Sequence, residues 1–509
     1  MIELLFQPGI ANERRRRMCN TIASMLKRFM VSVCCALILM AGNLPTSAAQ
    51  QEYDIVILNG RVIDPESNLD AIRNLGISGG RIQAISEKSL RGRTTILATG
   101  LVVAPGFIDL HSHGQDAENY RYKAMDGVTT ALELEVGTPD VDRWNAEREG
   151  KALINYGVSI GHVPVRMSVM RDKGFFLPSG DAAYKAASDS EIEQFKRDIE
   201  QGLKRGALGV GFGIQYTPLA SRWEILEMFR VAARYNAVCY VHMRHAGDKE
   251  PGSSVQALEE LIAAAAITGA PLHVVHISSS GLRATPRLLQ MISEAQSRGI
   301  DVTTEMYPYT ATQTLIESAI YDEGWQQLLG IDYKDLQWAA TGERLNKESF
   351  AKYRKVGGSV IAHSIPEEVA RLVVASPLTM VASDGFLQNG RGHPRGSGTF
   401  ARVLSRYVRE QKALTLMDAL RKMTAMPARR LERRAPAMKN KGRIRVGSDA
   451  DIAVFDPNTI TDKSTYEQPA NYSEGMKYVL VNGVFVVRDG QLQTGVAPGR
   501  AVRAPISAK

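Results

Sequence analysis

Eight short apolar runs, spaced through the middle of the chain and separated by segments of helical composition, constrain this sequence more than any other feature. They occupy 104–110, 129–136, 158–163, 207–212, 238–243, 272–277, 302–306 and 378–383. The intervening stretches, such as 188–204, 223–235, 254–268 and 287–297, carry apolar residues at helical spacing, with Ser188 and Ser254 placed as capping residues near two of the starts. Ser188-Asp-Ser-Glu191 has the form of a capping box. Eight strands alternating with helices predict an α/β fold, a parallel (β/α)8 TIM-like barrel whose catalytic groups emerge at the C-terminal ends of the strands. The long gap at 310–377 predicts a lid-like insertion on that face, or a packed subdomain.

Both ends of the chain read as β-structure. Asp54-Ile-Val-Ile-Leu-Asn59-Gly60-Arg-Val-Ile-Asp64 has the look of a hairpin about an Asn-Gly turn, and 451–456 with 478–487 echo it. The expected organisation is therefore a β-sandwich built from 50–103 and 426–509, beside a barrel at 104–425.

Composition is that of a globular protein, with 44% hydrophobic and 23% charged residues in 509. The formal charge of +8 is concentrated: residues 1–49 hold Arg14–Arg17, Lys27 and Arg28 against Glu3 and Glu13, a net +4. An apolar run at 29–41 follows, then small residues Ser47 and Ala49, the order of a secretory signal cleaved after about residue 49. The run is shorter than a membrane span requires. Met25 ahead of Lys27-Arg28 offers an alternative start. The expectation is an exported, periplasmic or secreted protein with no stable membrane anchor after cleavage. Three of the four cysteines leave with the signal, so only Cys239 remains, and no disulfide framework is possible. With the basic runs lying largely in the signal and none interleaved with aromatics at a recognisable module, no nucleic-acid partner is expected.

Strand ends carry the chemistry. The first ends in Asp109-Leu-His111-Ser-His113, two histidines on one strand face able to reach one cation. The fifth ends at His242, the sixth at His276 and the eighth at Asp384, so these residues converge on one barrel mouth. An odd offset from His276 places His273 on the opposite, helix-facing side. His162, His245 and His363 lack matched partners. The second strand carries Glu133 and Glu135 among apolar neighbours; burying either without a partner costs several kcal/mol, so an adjacent cation is the economical explanation. Glu135, nearer the strand end, is the preferred ligand, with a buried salt bridge for Glu133.

The segment 105–113, the histidines of strands five and six and the aspartate of strand eight resemble the amidohydrolase superfamily. Tyr307-Pro-Tyr309-Thr, Ser383-Asp384-Gly385 followed by His393-Pro-Arg395, the segment 398–409, and the C-terminal 447–457 and 474–483 resemble its N-acyl-D-amino-acid deacylases, the D-aminoacylases. This resemblance, covering about 52–502, implies a zinc-dependent hydrolase of N-acyl-D-amino acids. It implies one tightly held zinc on His242 and His276, a second and weaker position at His111 and His113, and Asp384 as catalytic acid/base. Tyr216, Tyr309 and Arg395 match groups that hold the substrate carboxylate and amide. Two departures stand out. Where the family commonly has a cysteine ligand, an ungapped reading gives Val136 beside Glu135; a carboxylate is harder than a thiolate, which bears on metal preference. The lysine that often follows the strand-six histidine is replaced by Ile277-Ser278-Ser279, leaving Arg244, Arg391 or Arg395 to take its role.

The expected chemistry is water activation by zinc on Glu135, His242 and His276, with Asp384 shuttling the proton and Arg395 pairing the substrate carboxylate. The arginines invite an acidic substrate side chain. Competing readings are an amidohydrolase of cyclic amides or dipeptides and a non-catalytic binding protein on the same fold. Oligomeric state is not legible.

Overall fold

The computed structural model describes residues 10–41 and 52–506. The chain divides into two units, Met1–Glu52 and Tyr53–Lys509. In the first lies the helix Ile10–Ala41, whose described side chains, 15–32, are exposed. The proposed cleavage site at 47–49 lies outside the described residues. No described helix is long and apolar enough to cross a membrane.

The centre of the second unit is an eight-stranded parallel sheet whose strands run, in order, Phe107–Asp109, Val128–Thr138, Asn155–Gly161, Gly209–Gly213, Val238–His242, Leu272–Val274, Val302–Met306 and Thr379–Val381. These match the eight apolar runs one for one. Nearly every residue on them is buried, as strands covered by helices outside and packed side chains inside must be. The first and eighth strands meet through a parallel bridge between Ser112 and Gly385, and the Asp384 amide donates to the His111 carbonyl at 2.7 Å. Below that seam, Lys123 Nζ donates to Asp109 Oδ2 (2.9 Å) and to Ser383 Oγ (2.6 Å), while the Ser383 amide donates to Asp109 Oδ1 (2.9 Å). This buried clasp ties the end of strand one to the end of strand eight and so fixes His111 against Asp384. The helix Asp189–Lys204 begins with the expected capping box at Ser188 and Glu191.

Both chain ends do share one sheet, of nine strands. Val102–Pro105 joins them, pairing parallel with Glu52–Asp64 and antiparallel with Ile452–Phe455. The N-terminal hairpin expected at Asn59-Gly60 is absent. Glu52–Asp64 is one continuous strand with a register shift between Ile57 and Gly60. Asn59 alone takes a positive φ (58°), so the dipeptide makes a bulge; the tight turn of this kind needs both residues left-handed, as at Asn482 (51°) and Gly483 (80°). Helix Ala425–Glu432 packs Ala428 and Leu431 with Ile108 and Leu132 of the barrel, and the C-terminal strands begin only at Ile452.

The insertion after strand seven forms a three-stranded sheet, Thr312–Leu315, Ser359–Ala362 and Leu336–Trp338. Its own aromatic core stacks Trp325 on Phe350 (5.3 Å between centroids), with Tyr321 and Tyr333 edge-on. It is thus a packed subdomain, and its strand Thr312–Leu315 sends Gln313 and Thr314 toward the barrel mouth.

Candidate metal centre and active site

Glu135 occupies the middle of the barrel mouth, 2% exposed, with each carboxylate oxygen facing a different histidine pair. Oε2 lies 3.0 Å from His111 Nε2 and 3.2 Å from His113 Nε2; Oε1 lies 2.9 Å from His242 Nδ1 and 3.2 Å from His276 Nε2. Asp384 Oδ1 completes the first group, 3.4 Å from His111 Nε2 and 3.2 Å from His113 Nε2. Two donor sets result, His111–His113–Glu135–Asp384 and Glu135–His242–His276, each with its ligand atoms within 4.8 Å of one another. All five sequence-predicted ligands are therefore brought together, and Asp384 with them.

Local backbone explains the convergence. His276 (φ 31°) and Asp384 (φ 50°) both sit in the left-handed region, where non-glycine residues persist only if their surroundings hold them. The sixth strand ends at Val274, so alternation no longer applies at His276. That corrects the reading of His273. It does not face the helices but lies fully buried inside, with Nδ1 2.7 Å from Thr303 Oγ1 and Nε2 3.2 Å from Glu305 Oε2.

Each ligand histidine is anchored through its second nitrogen, the arrangement that orients imidazoles for a metal. His111 Nδ1 lies 2.6 Å from Glu305 Oε1 and His113 Nδ1 2.7 Å from Glu133 Oε2. On the other side, His242 Nε2 meets Gln215 Oε1 at 2.8 Å and His276 Nδ1 meets Ser279 Oγ at 2.9 Å. Glu133 is thus a buried partner of His113. Gln215 and Glu305 were not anticipated, although the rule that singled out Glu133 and Glu135, a carboxylate in an apolar strand, applies equally to Glu305.

Electrostatics follow from this crowding. Burial opposes charge on Glu135 and Asp384, yet both are held well below the usual carboxylate range, Glu135 by His111, His113 and His242 and Asp384 by Arg395 and His111. Burial also opposes charge on Glu305, but His111 and His273 bring it down to about 2. Such a donor set, carboxylates interleaved with neutral-capable imidazoles, suits a divalent cation.

The proposed substrate groups are distributed unevenly. Tyr216 stands edge-on to His242 (4.9 Å), its oxygen accepting from the Thr314 hydroxyl (3.1 Å), and borders a small cavity with His113, Glu135 and Asp384. Arg395 is buried, with Nη1 2.9 Å from Asp384 Oδ2 and Nη2 donating to the Gln313 carbonyl (3.2 Å). Tyr309 lies behind, its ring under the Arg402 guanidinium (4.6 Å) and its hydroxyl donating to the Pro394 carbonyl (3.4 Å). Tyr307 takes the forward place instead, its ring 4.5 Å from Arg395 and 6.4 Å from His276. The two residues are an even step apart, but the seventh strand ends at Met306 and Pro308 turns the chain between them. Arg244 is committed to Glu260 through Nε (2.8 Å) and Nη2 (2.7 Å) and donates through Nη1 to the Ala220 carbonyl (2.8 Å), leaving no free edge for a substrate carboxylate. Arg391 is exposed on the two-residue strand Arg391–Gly392. His162 is paired with Glu224 (2.7 Å) and His363 with Gln337 (3.1 Å), both outside the ligand sets.

A parallel barrel with paired metal-binding sets at its C-terminal mouth defines a metal-dependent hydrolase. The amidohydrolase family model matches residues 170–487, and the chain belongs to that family. It is 30% identical over 508 residues to the N-acyl-D-glutamate deacylase of Alcaligenes xylosoxydans xylosoxydans, covering 90% of this chain and 98% of the relative. To the D-aminoacylase of the same organism it is 29% identical over 501 residues, covering 89% and 98%. The crystal structure of N-acyl-D-glutamate deacylase from Bordetella bronchiseptica, complexed with zinc and a phosphonate mimic of the tetrahedral intermediate, matches with a TM-score of 0.76 at 27% identity, over 89% of this chain and 100% of that one.

Proposed function

We propose that this protein is a zinc-dependent hydrolase that cleaves the amide bond of linear N-acyl-D-amino acids, releasing a carboxylate and a free D-amino acid. The observation that carries the reading is the placement of Glu135 between two histidine pairs with Asp384 beside them, in a chain similar along its length to deacylases of that class. Glu135, His242 and His276 would hold a zinc ion, with His111 and His113 at a second position, and the metal would supply an acidified water and a Lewis acid for the amide carbonyl. Asp384, ionised in the resting site, accepts the proton of the attacking water and returns it to the departing amide nitrogen.

Arg395 has two tasks. Its Nη1 holds Asp384 ionised, and its Nε, buried with no hydrogen-bond partner, is a donor waiting for an anionic group such as the substrate α-carboxylate. The Tyr307 hydroxyl and Gln215 Nε2 are likewise buried without partners. Unmet buried donors cost free energy in the resting protein and are explained where a ligand supplies the acceptors.

Hydrolysis of paired D and L N-acyl amino acids by the zinc-loaded protein, alongside hydantoins and dipeptides, tests the reading. Selective turnover of the D-acyl compounds is expected; turnover without D selectivity, or of cyclic amides alone, sinks it. We further propose export, with the mature chain starting near Gln50; N-terminal sequencing of the protein recovered from its host checks this.

A further inference from the structure

A second cavity, of about 570 Å³, lies at the other end of the barrel. Val238, Thr303 and Met380, at or near the starts of strands five, seven and eight, border it, with Pro271 from the turn that leads into strand six. Strand five carries Val238 here and His242 at the metal centre, and four residues of extended chain, about 13 Å, hold the two regions apart. Helix Ala425–Glu432 and the residues just after it close the cavity with Arg429, Arg430, Arg433 and Arg434.

Arg429 and Arg433, and Arg430 and Arg434, are four residues apart, the spacing at which like charges on a helix repel. Counter-charge is incomplete. Asp301 serves Arg430 directly and Arg433 at 4.0 Å, Glu66 takes Arg429 at 2.8 Å, and Glu432 turns to Arg443 at 3.4 Å. Arg434 has no carboxylate partner among the described residues. Its Nε donates to the Ala207 carbonyl (3.1 Å) and its Nη2 to the Leu203 carbonyl (2.6 Å), and burial pulls its pKa down. Arg430, its side chain 6% exposed, donates through Nη2 to the Leu272 carbonyl (2.8 Å), while its Nε is buried with no partner. Four lining arginines thus face two lining carboxylates, Asp301 and Glu432, an excess of two positive charges that Glu66 and Arg443 together leave unchanged. Tethering the helix to the base of the barrel, with cations at a helix C-terminus, accounts for the bonds to carbonyls. It accounts neither for the excess charge nor for the idle Nε, both of which are costly to bury.

We infer that this basal cavity binds a small organic dianion, a phosphate monoester or a dicarboxylate, whose charged head is held by Arg430, Arg433 and Arg434. Two unmatched positive charges call for a dianion, and guanidinium forks pair with the oxygens of either head. A bare inorganic ion would leave most of the space empty. The volume is that of a small-molecule site, and Val238, Pro271, Met380 and Met426 offer apolar surface to an organic body. The site owes nothing to the hydrolase reading above, and each stands if the other fails.

Isothermal titration of the zinc-loaded, full-length protein tests this. Phenyl phosphate or phthalate should bind saturably, at about one per chain, and raise the melting temperature as its concentration rises. Benzoate, with a single charge, should bind about 10- to 100-fold more weakly at matched ionic strength. Whichever dianion binds more tightly identifies the head group. Arg434→Gln should weaken binding about 10- to 100-fold and Arg433→Gln should weaken it as well, whereas Arg395→Lys, at the mouth, should leave it unaltered. Absence of saturable binding overturns the inference, as do folded Arg434→Gln and Arg433→Gln proteins that bind as the wild type does. Binding that survives both substitutions and disappears when zinc is stripped puts the anion at the mouth and overturns it too. Arg433 is the more exposed of the two, so Arg433→Gln decides if Arg434→Gln does not fold.

Discussion

Arg395 Nη1 lies 2.9 Å from Asp384 Oδ2, and both groups are buried. The contact is an ion pair without a well-aligned hydrogen bond, so charge rather than geometry binds them. Asp384 meets the two candidate ligand histidines through Oδ1 and the arginine through Oδ2, which keeps it ionised.

Asp384→Asn removes the proton carrier and keeps the shape. Turnover should fall about 10²- to 10⁴-fold with fold and zinc at the Glu135–His242–His276 position retained. Steady-state rates with elemental analysis on the same sample check this, and near-normal turnover would overturn the role given to Asp384. Arg395→Lys keeps a charge near Asp384 but loses the planar fork; KM for N-acyl amino acids should rise by roughly tenfold or more while kcat changes less.

Glu135→Ala strips the one carboxylate shared by both donor sets. Zinc content should drop, and activity should vanish with it. If Glu135→Ala retains its zinc while Glu133→Ala does not, Glu133 is the ligand on the second strand.

The metal-free protein should have its own pH dependence. Burial alone would drive the proton from His111, but the carboxylates of Asp384, Glu135 and Glu305 outweigh it and raise its pKa from 6.5 to about 10. Between those values the folded chain binds a proton that the unfolded chain has lost. This contribution to stability is therefore complete below about 6.5 and lost as pH rises toward 10. Melting temperatures of apoprotein should fall over that window more steeply than those of zinc-loaded protein, in which His111 is a neutral ligand. Parallel curves for the two forms would contradict this.

The barrel and the convergence of its candidate ligands were legible because both rest on local rules: strand-length apolar runs, and charged or metal-binding residues at strand ends. Glu135 was recoverable because an apolar strand does not hold a carboxylate without a partner. What escaped depends on where strands stop. His273 was misplaced because alternation was carried past Val274; Tyr309 rested on the resemblance alone, and Pro308 redirects the chain between it and Tyr307 after Met306. Asn59-Gly60 was read as a hairpin because the sequence does not reveal that Gly60 keeps an ordinary φ, packed where a Cβ would meet Val103 at 2.5 Å. Gln215 lies next to Tyr216 and carried no signal of its own.

Substrate preference was the reading most open to error, since three arginines invited an acidic side chain. Arg244 is spent on Glu260, and Arg391 is exposed. Beside the metal centre opens a cavity of about 450 Å³, bordered by His113 and walled by Phe175, Phe176, Phe386, Leu315 and Val356, with Asp116 and Glu317 also on its lining and no lysine or arginine. Phe176 is held at φ 63° with its ring 5.2 Å from His113, in a loop whose amides at Gly174, Ser179, Gly180 and Ala182 all donate to Asp172. An acidic chain entering here would meet two carboxylates and no cation, whereas an apolar one buries its surface against the rings. N-acetyl-D-leucine and N-acetyl-D-phenylalanine should therefore exceed N-acetyl-D-glutamate in kcat/KM by about 10- to 100-fold. Lengthening the acyl chain on D-alanine, in a parallel series, shows whether the acyl group or the side chain uses the cavity. Val356→Lys, at its exposed edge, should narrow the gap by supplying the missing cation. Equal or better turnover of the D-glutamate compound by the wild type would show that its carboxylate is read elsewhere, with Arg395 the remaining group able to do so.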